Sequence, residues 1–250
     1  MKVRTVFICN NERMPEPTDV DQIVRLRDVR VEFDGHAALR GIDLSARAGE
    51  LLAVVGANGS GKSTLLSVVA GLQQPTAGDA SLRAGARVAL VPQTTADGAR
   101  LPLTVADLVA MGRWRERGAF RPLRRTDRVR IADAIAAVGL EAHAKRPLGV
   151  LSGGQRQRAF LGQALAQDAD LLLLDEPMSG LDSASREAAA SAIAAVAARG
   201  AAVIAVTHDL AELGAVDQVV HLADGRIVAR GDSPDASRGR TLDDATSVRA

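Results

Sequence analysis

Aromatic residues, cysteine and long apolar runs are all scarce in this sequence. It has four Phe, one Trp and no Tyr among 250 residues, and its single cysteine, Cys9, cannot form an internal disulfide. Such cysteine usage is typical of a reducing compartment. No apolar stretch approaches the roughly 18 to 20 residues that a helix needs to span a bilayer, and the N-terminus lacks the apolar core of a signal peptide. We therefore expect a soluble, cytosolic protein.

A charge excess of one sign is also missing. Lys and Arg total 31 and Asp and Glu total 30, so the net charge is +1, which gives no strong field for nucleic acids or acidic partners. The length fits one large domain or two small ones, with enough residues for a buried core. The four histidines are scattered along the chain, so their spacing predicts no metal site.

The most informative stretch is a short apolar run followed by a glycine-rich loop. Leu51 to Val55 predicts a buried parallel strand, and GANGSGKST after it matches G-x-x-x-x-G-K-[ST]. Glycines let backbone N–H groups surround phosphate oxygens, the lysine adds positive charge, and the serine hydroxyl can ligate Mg²⁺. A plain glycine-rich turn does not require Lys and Ser at its end. We predict a nucleoside triphosphate site at Gly56, Asn58, Gly59, Ser60, Gly61, Lys62, Ser63 and Thr64.

A pair of carboxylates follows a second predicted buried strand, Leu171 to Leu174. Asp175 stands at its end, where an aspartate can hold Mg²⁺ together with the loop serine. Glu176 comes next and can act as a general base on an attacking water. This pair favours hydrolysis over phosphoryl transfer to a metabolite.

Two more strand ends carry polar side chains. His208 follows a third buried strand and can hydrogen-bond the γ-phosphate or a catalytic water, while Gln93 follows the Arg87 to Val91 strand and offers an amide oxygen to Mg²⁺ or water. Repeated strand–helix–strand units with chemistry at the carboxyl ends of the strands predict an open α/β sheet.

A second anion site is predicted where a long amphipathic helix begins. Ser-Gly-Gly at its start leaves N–H groups and the positive end of the helix dipole for an anion. The chain thus has two phosphate-binding helix starts and one lysine-bearing loop. The simplest explanation is a head-to-tail dimer in which each Ser-Gly-Gly closes on the partner's ATP. The residues are Ser152, Gly153, Gly154 and Gln155.

Two features of the sequence have more than one interpretation. Phe33, in a strand-to-turn position, can stack on an adenine ring or simply belong to the core. The basic stretch Arg113 to Arg130, which contains Trp114, suits a nucleic acid, an acidic membrane surface, a partner protein or a solvated helix pair.

The motif set resembles the ATP-binding subunit of ABC transporters over about residues 23–231. In chain order the motifs are the phosphate loop, Gln93, LSGGQ at 151–155, LLLLDE at 171–176, SGLD at 179–182 and His208. The resemblance implies a P-loop α/β fold whose mostly parallel core sheet carries an N-terminal antiparallel β subdomain and an inserted helical subdomain at about 94–167. We expect 1–22 and 232–250 to be disordered, and Met14 is an alternative start to Met1.

The resemblance also implies roles and partners. Phe33 becomes the adenine-stacking residue, Gln93 the link to a permease, Glu176 the general base, His208 the γ-phosphate switch and Asp182 a residue at the dimer seam. Two cassettes are expected to sandwich two ATP, with Mg²⁺, and to drive an integral membrane permease from the inner face of the cell membrane. An extracytoplasmic substrate-binding protein is an indirect partner. Arg113 to Arg125, within the basic stretch, then lies near the permease-docking face, where a protein or lipid-headgroup partner is expected and a nucleic acid is not.

Within the family, several segments look like the zinc/manganese importer branch. They are 103–105, 111–113, 120–122 and 166–171, whereas Met178 and the Gly162-Gln163 pair depart from the usual pattern. Importers of ferric siderophores, haem or cobalamin are the alternative.

Other function classes are weaker hypotheses. A DNA-repair ATPase of this family needs a long coiled-coil insertion, for which the roughly ninety residues between Lys62 and Ser152 are too few, and translation factors carry two cassettes in one chain. A small-molecule kinase has no use for LSGGQ. A catalytically inactive regulatory subunit is opposed by Glu176 and His208.

Overall fold

The computed structural model describes residues 21–93, 102–114 and 122–232. The strands are β1 (Gln22–Phe33), β2 (His36–Arg47), β3 (Leu51–Val55), β4 (Ala77–Leu82), β5 (Val88–Val91), β6 (Leu171–Asp175), β7 (Ala202–Thr207), β8 (Gln218–Ala223) and β9 (Arg226–Asp232). The α-helices are α1 (Lys62–Val69), α2 (Val105–Met111), α3 (Arg125–Ala137), α4 (Gly153–Ala166) and α5 (Ser183–Ala198). Nearly all of the predicted terminal extensions, and residues 120 and 121, lie outside the described residues.

The core is a six-stranded sheet in the order β5-β6-β7-β3-β8-β9. All pairs are parallel except the terminal hairpin of β8 and β9. Every residue of β3 and β7 is buried, as expected for continuous apolar strands covered on both faces. The predicted open α/β sheet is confirmed, and the carboxyl ends of β3, β5, β6 and β7 meet at one edge.

Apolar side chains cover both faces of this sheet because successive strand residues point to opposite sides. Leu51 and Ala53 pack into a cluster with α2, α3, α4 and α5, whereas Leu52 and Val54 pack into a second cluster with α1 and the smaller sheet. The core is therefore two apolar layers separated by one sheet. No helix in the described ranges is long and apolar enough to cross a membrane.

A separate antiparallel sheet has the order β2-β1-β4. The resemblance implied an antiparallel β subdomain near the N-terminus, and β1 and β2 pair antiparallel in this sheet. Strand β4 was not predicted. Its sequence is AGDASL, and five of these six residues are exposed, so the segment has no apolar alternation. It becomes a strand by pairing with β1.

The helical segment corrects one expectation. Arg113 was assigned to a basic stretch on a solvated or docking face, but it is only 2% exposed. Its Nε donates to Asp127 Oδ1 at 3.2 Å, and its Nη1 donates to Ala166 O at 2.9 Å. Asp127 also accepts from the N–H of Arg124 at the start of α3. Arg113 therefore joins the end of α2 to α3 and α4 inside the protein.

Candidate active site

The phosphate loop between β3 and α1 requires glycine at two positions for space. A Cβ on Gly56 would lie 2.2 Å from Leu222 O, and one on Gly61, whose φ is +103°, would lie 2.6 Å from Ala38 O. Gly59 has φ +80° but faces open space, so there the requirement is conformational. These glycines give the loop its tight path around a volume that a phosphate can enter.

Lys62 opens α1 and points back into the loop. Its side chain is 8% exposed, and its Nζ donates to Gly56 O at 2.7 Å and to Ala57 O at 2.8 Å. Helix α1 has no side-chain cap at its N-terminus, so its first N–H groups remain for an anion. A phosphate entering the loop offers the ammonium group a stronger, charged acceptor than the two carbonyls.

The sheet edge brings Ser63 and Asp175 together, although they are 112 positions apart. Ser63 Oγ donates to Asp175 Oδ2 at 3.1 Å. Burial raises the pKa of Asp175, the neighbouring charge of Glu176 adds to the rise, and the hydrogen bond from Ser63 and the charge of Lys62 oppose it. A hydroxyl and a half-buried carboxylate form an oxygen ligand set of the kind that Mg²⁺ prefers.

Glu176 is paired with His208. Glu176 Oε2 and His208 Nδ1 are 2.7 Å apart, and since an ionised carboxylate can only accept, Nδ1 is the donor. The hydrogen bond to Glu176 and the negative charge of that residue raise the pKa of His208, and Glu212 and Asp209 add smaller effects. Glu176 has φ +52°, a conformation that non-glycine residues adopt at a cost and that occurs often at active sites.

These groups line one cleft of about 590 Å³. Of the predicted residues, Asn58, Gly59, Gly61, Lys62, Ser63, Thr64, Gln93, Asp175 and Glu176 line it. His208 does not line it but is hydrogen-bonded to Glu176, which does. Phe33, 46% exposed at the end of β1, does not line it either.

One part of the cleft wall, formed by His36, Arg40 and the β8–β9 turn, was not predicted. Gly225 in that turn donates its N–H to Ser60 O at 3.0 Å and accepts from the N–H of Arg40 at 2.7 Å. The turn therefore connects the phosphate loop to β2. An Asp-Gly pair is typical of a tight hairpin turn, but no local pattern indicates what the hairpin contacts.

The Ser-Gly-Gly segment lies outside the cleft of its own chain. Ser152 and Gln155 form a reciprocal cap of α4: Ser152 Oγ accepts from the N–H of Gln155 at 3.2 Å, and Gln155 Oε1 accepts from the N–H of Ser152 at 3.1 Å. The N–H groups of Gly153 and Gly154 lie between these two capped ones. Asp182 is the N-cap of α5, where it accepts from the N–H of Ser185 at 2.7 Å.

Comparison with known proteins identifies the family. The sequence model of the protein family described as ABC transporter matches residues 39–179. The chain is 32% identical to the manganese transport system ATP-binding protein of Halalkalibacterium halodurans, over 85% of this chain and 87% of the relative. It is 35% identical to the zinc transport system ATP-binding protein of Treponema pallidum, over 87% of this chain and 84% of the relative.

Solved structures agree with this result. One, an inward-facing transporter assigned to the metal-chelate type, superposes with a TM-score of 0.74 at 28% identity, covering 85% of this chain and 84% of that one. A dimeric bacterial ABC transporter cassette gives a TM-score of 0.72 at 25% identity, covering 84% of this chain and 98% of that one. The chain belongs to the ABC transporter family, as an ATP-binding subunit that hydrolyses ATP for transport.

Proposed function

We propose that this subunit powers the import of a metal ion, zinc or manganese, through a separate membrane permease. The observation that carries the proposal is the similarity, over more than four fifths of the chain, to ATP-binding proteins named for manganese and zinc transport. The transported ion is cargo of the permease. The described ranges contain no cluster of three His, Cys, Asp or Glu that could hold a metal.

Each residue of the cleft has its own role in ATP hydrolysis. Ser63 and Asp175, with Gln93, would hold Mg²⁺, which would neutralise part of the phosphate charge. Lys62 leaves the loop carbonyls for the β- and γ-phosphates. Glu176 takes the proton of the attacking water. The hydrogen bond from His208 Nδ1 orients Glu176, and the second nitrogen of that ring contacts the γ-phosphate.

We propose that the working unit is a head-to-tail dimer with two ATP in its interface. The Ser-Gly-Gly segment lies outside the cleft of its own chain, which supports a role for the N–H groups of Gly153 and Gly154 in binding a partner's nucleotide. Asp182 belongs to the same seam, because Gly154 is close to Gly180 in the segment before it. Phe33, whose strand partner His36 lines the cleft, is the residue that stacks on the adenine ring in this proposal.

The assembly has two further partners. The chain from 23 to 231 is a single ABC domain, and a permease docks on its helical segment at 94–167. This docking holds the subunit at the cytoplasmic face of the cell membrane. A substrate-binding protein on the other side of the membrane delivers the metal to that permease.

Deletion of the gene in the source organism tests the cargo. We expect the deletion strain to lose growth and cellular metal content in chelated medium, and zinc or manganese alone to restore growth. A plasmid copy carrying Glu176→Gln must fail to complement, because hydrolysis is required. Rescue by a different metal, or growth equal to the parent, would contradict the proposed cargo while leaving the ATPase assignment intact.

A second candidate function is the import of a chelated metal such as a ferric siderophore, haem or cobalamin. The likeness to a transporter assigned to the metal-chelate type supports it. Rescue of the deletion strain by iron or haem, but not by zinc or manganese, is the result that favours this candidate.

A further inference from the structure

His143 lies beside the helix start that bears the Ser-Gly-Gly segment. Its ring Nε2 is 3.3 Å from the side-chain Nε2 of Gln155. The amide of Gln155 has a fixed orientation because its oxygen accepts from the N–H of Ser152, so its NH₂ group faces the imidazole. An amide NH₂ can only donate. His143 Nε2 is therefore the acceptor, and its proton is on Nδ1.

The contact with Gln155 is the main polar contact of the His143 ring. Nδ1 is buried and has no hydrogen-bond partner among the described residues, so within these ranges the ring makes its polar contact through Nε2. The backbone around it is held firmly, since Ala144 O accepts from the N–H of Ala106 in α2 at 2.8 Å and His143 O accepts from the N–H of Arg146 at 2.8 Å. The segment around His143 thus connects α2, through the backbone of Ala144, to the start of α4, through the imidazole ring.

We propose that His143 is a positioning residue for the Ser-Gly-Gly segment. It holds the Gln155 amide so that this amide caps Ser152 and orients the N–H groups of Gly153 and Gly154. The proposal deepens the proposed function and rests on the sandwich dimer for its catalytic consequence. Without the acceptor, the Gln155 amide can rotate away from Ser152. Both ends of the cap then loosen, since each side chain holds the other residue's N–H.

The same displacement affects the neighbouring segment. A Cβ on Gly154 would lie 2.8 Å from Gly180 O, so the start of α4 is already in close contact with the segment that leads to Asp182. A loosened cap therefore disturbs the two surfaces that face the partner chain. The cleft that binds ATP within one chain contains neither His143 nor Gln155, so nucleotide binding by the monomer should not change.

The first experiment measures amide hydrogen exchange in the nucleotide-free protein over a peptide containing residues 151–155. His143→Leu removes the acceptor, and His143→Gln keeps one because its Oε1 reaches the place of the imidazole Nε2. His221→Gln, an exposed histidine on β8, is the control. We expect faster exchange in His143→Leu, and wild-type exchange in His143→Gln and His221→Gln. Unchanged exchange in His143→Leu, or equally fast exchange in His143→Gln, would overturn the proposal.

The second experiment measures ATP-dependent dimerisation by sedimentation in the Glu176→Gln background. We expect His143→Leu to weaken dimerisation about tenfold, because a loosened segment must be ordered again at each of the two sites of the dimer. Binding of a fluorescent ATP analogue to the monomer should be unchanged, and His143→Gln should recover dimerisation. Equal dimerisation in all variants contradicts the proposal that the positioning of Gln155 by His143 supports closure of the dimer. If the Glu176→Gln parent does not dimerise, the sandwich itself is wrong, and the exchange experiment still decides whether His143 positions the loop.

Discussion

At the scale of single residues, the pairing of Glu176 with His208 determines what chemistry the cleft can perform. The carboxylate is mostly buried, with 15% of its side chain exposed, and the imidazole is 65% exposed. A buried base with one strong hydrogen-bond donor keeps a defined orientation. Its neighbour Asp175 contacts Ser63 instead, so two adjacent carboxylates face different partners and can serve different roles.

Replacing Glu176 by Gln should separate binding from hydrolysis. Glutamine has the same shape but cannot take a proton from water, so we expect phosphate release to fall by ~10²–10⁴-fold. Affinity for ATP with Mg²⁺ should persist because Lys62, Ser63 and Asp175 are unchanged. The exposed Glu187 on α5 provides the control Glu187→Gln, with wild-type turnover. Wild-type phosphate release from the Glu176→Gln protein is inconsistent with the role assigned to Glu176.

The raised pKa of His208 predicts a pH-dependent contribution to stability. Because hydrogen bonding and charge from Glu176 raise this pKa in the folded state, the contribution is fully present below the ordinary histidine pKa of about 6.5. It is lost as the pH rises through the raised pKa. We expect the difference in thermal midpoint between wild type and His208→Gln to be larger near pH ~5.5 than near pH ~8.5.

A salt series is the control for that measurement. Solvent screens a pair with an exposed member, so the difference should shrink as salt is added. A difference for His208→Gln that grows with pH contradicts the assigned cause.

At the scale of secondary-structure elements, the buried pair of Arg113 and Asp127 holds the helical segment together. Both side chains are 3% exposed, and the pair connects the end of α2, the start of α3 and the last turn of α4. Charged residues are found this deeply buried only when they are paired. The arginine therefore belongs to the interior of this segment and not to a surface that contacts a partner.

Removing Asp127 should destabilise the protein strongly. Asp127→Ala leaves the Arg113 guanidinium buried without its carboxylate and removes the cap of α3, and breaking such a pair typically costs about 3–5 kcal/mol in the free energy of unfolding. Asp133→Ala, at an exposed position on the same helix, should change it by less than about 0.5 kcal/mol. Chemical denaturation of both variants measures the two values. Similar small losses in both would mean that the pair contributes little.

At the scale of the whole molecule, the position of the Ser-Gly-Gly segment outside its own cleft suggests that a complete site needs two chains. Gly153 is informative because a Cβ there would contact nothing within 4 Å in its own chain. Gly153→Asp should therefore fold, and an acidic residue in the first turn favours α4. In a sandwich dimer, however, its carboxylate would face the partner's phosphates. The defect should be confined to the assembled state.

Mixing two inactive variants tests this arrangement. The Lys62→Ala protein lacks the phosphate-binding lysine, and the Gly153→Asp protein has a Ser-Gly-Gly segment that repels the partner's phosphates. In a mixed dimer one site has both defects and the other has none, so an equal mixture should regain about a quarter of the wild-type ATPase rate if chains reassort freely and sites act independently. Each variant alone should be inactive. No recovery in the mixture would contradict a site shared between chains.

Most of the core sheet and of the cleft could be predicted from the amino-acid sequence. Leu51 to Val55 and Leu171 to Leu174 are short apolar runs that predict buried parallel strands, and the residues directly after such strands lie at the same sheet edge. Ser63 and Asp175 could therefore be assigned to one site from the sequence, although they are 112 positions apart.

Tertiary structure alone decided features without a local signature. Strand β4 exists because β1 offers it a pairing edge, not because its exposed residues prefer an extended form. Arg113 appeared to belong to a surface because charged runs are usually solvated, and only its distant partner Asp127 explains its burial. His143 likewise gains a role from its contact with Gln155, twelve positions away. Periodicity and motifs report which residues are buried and which chemistry is present, whereas contacts between separate segments depend on packing that no local pattern encodes.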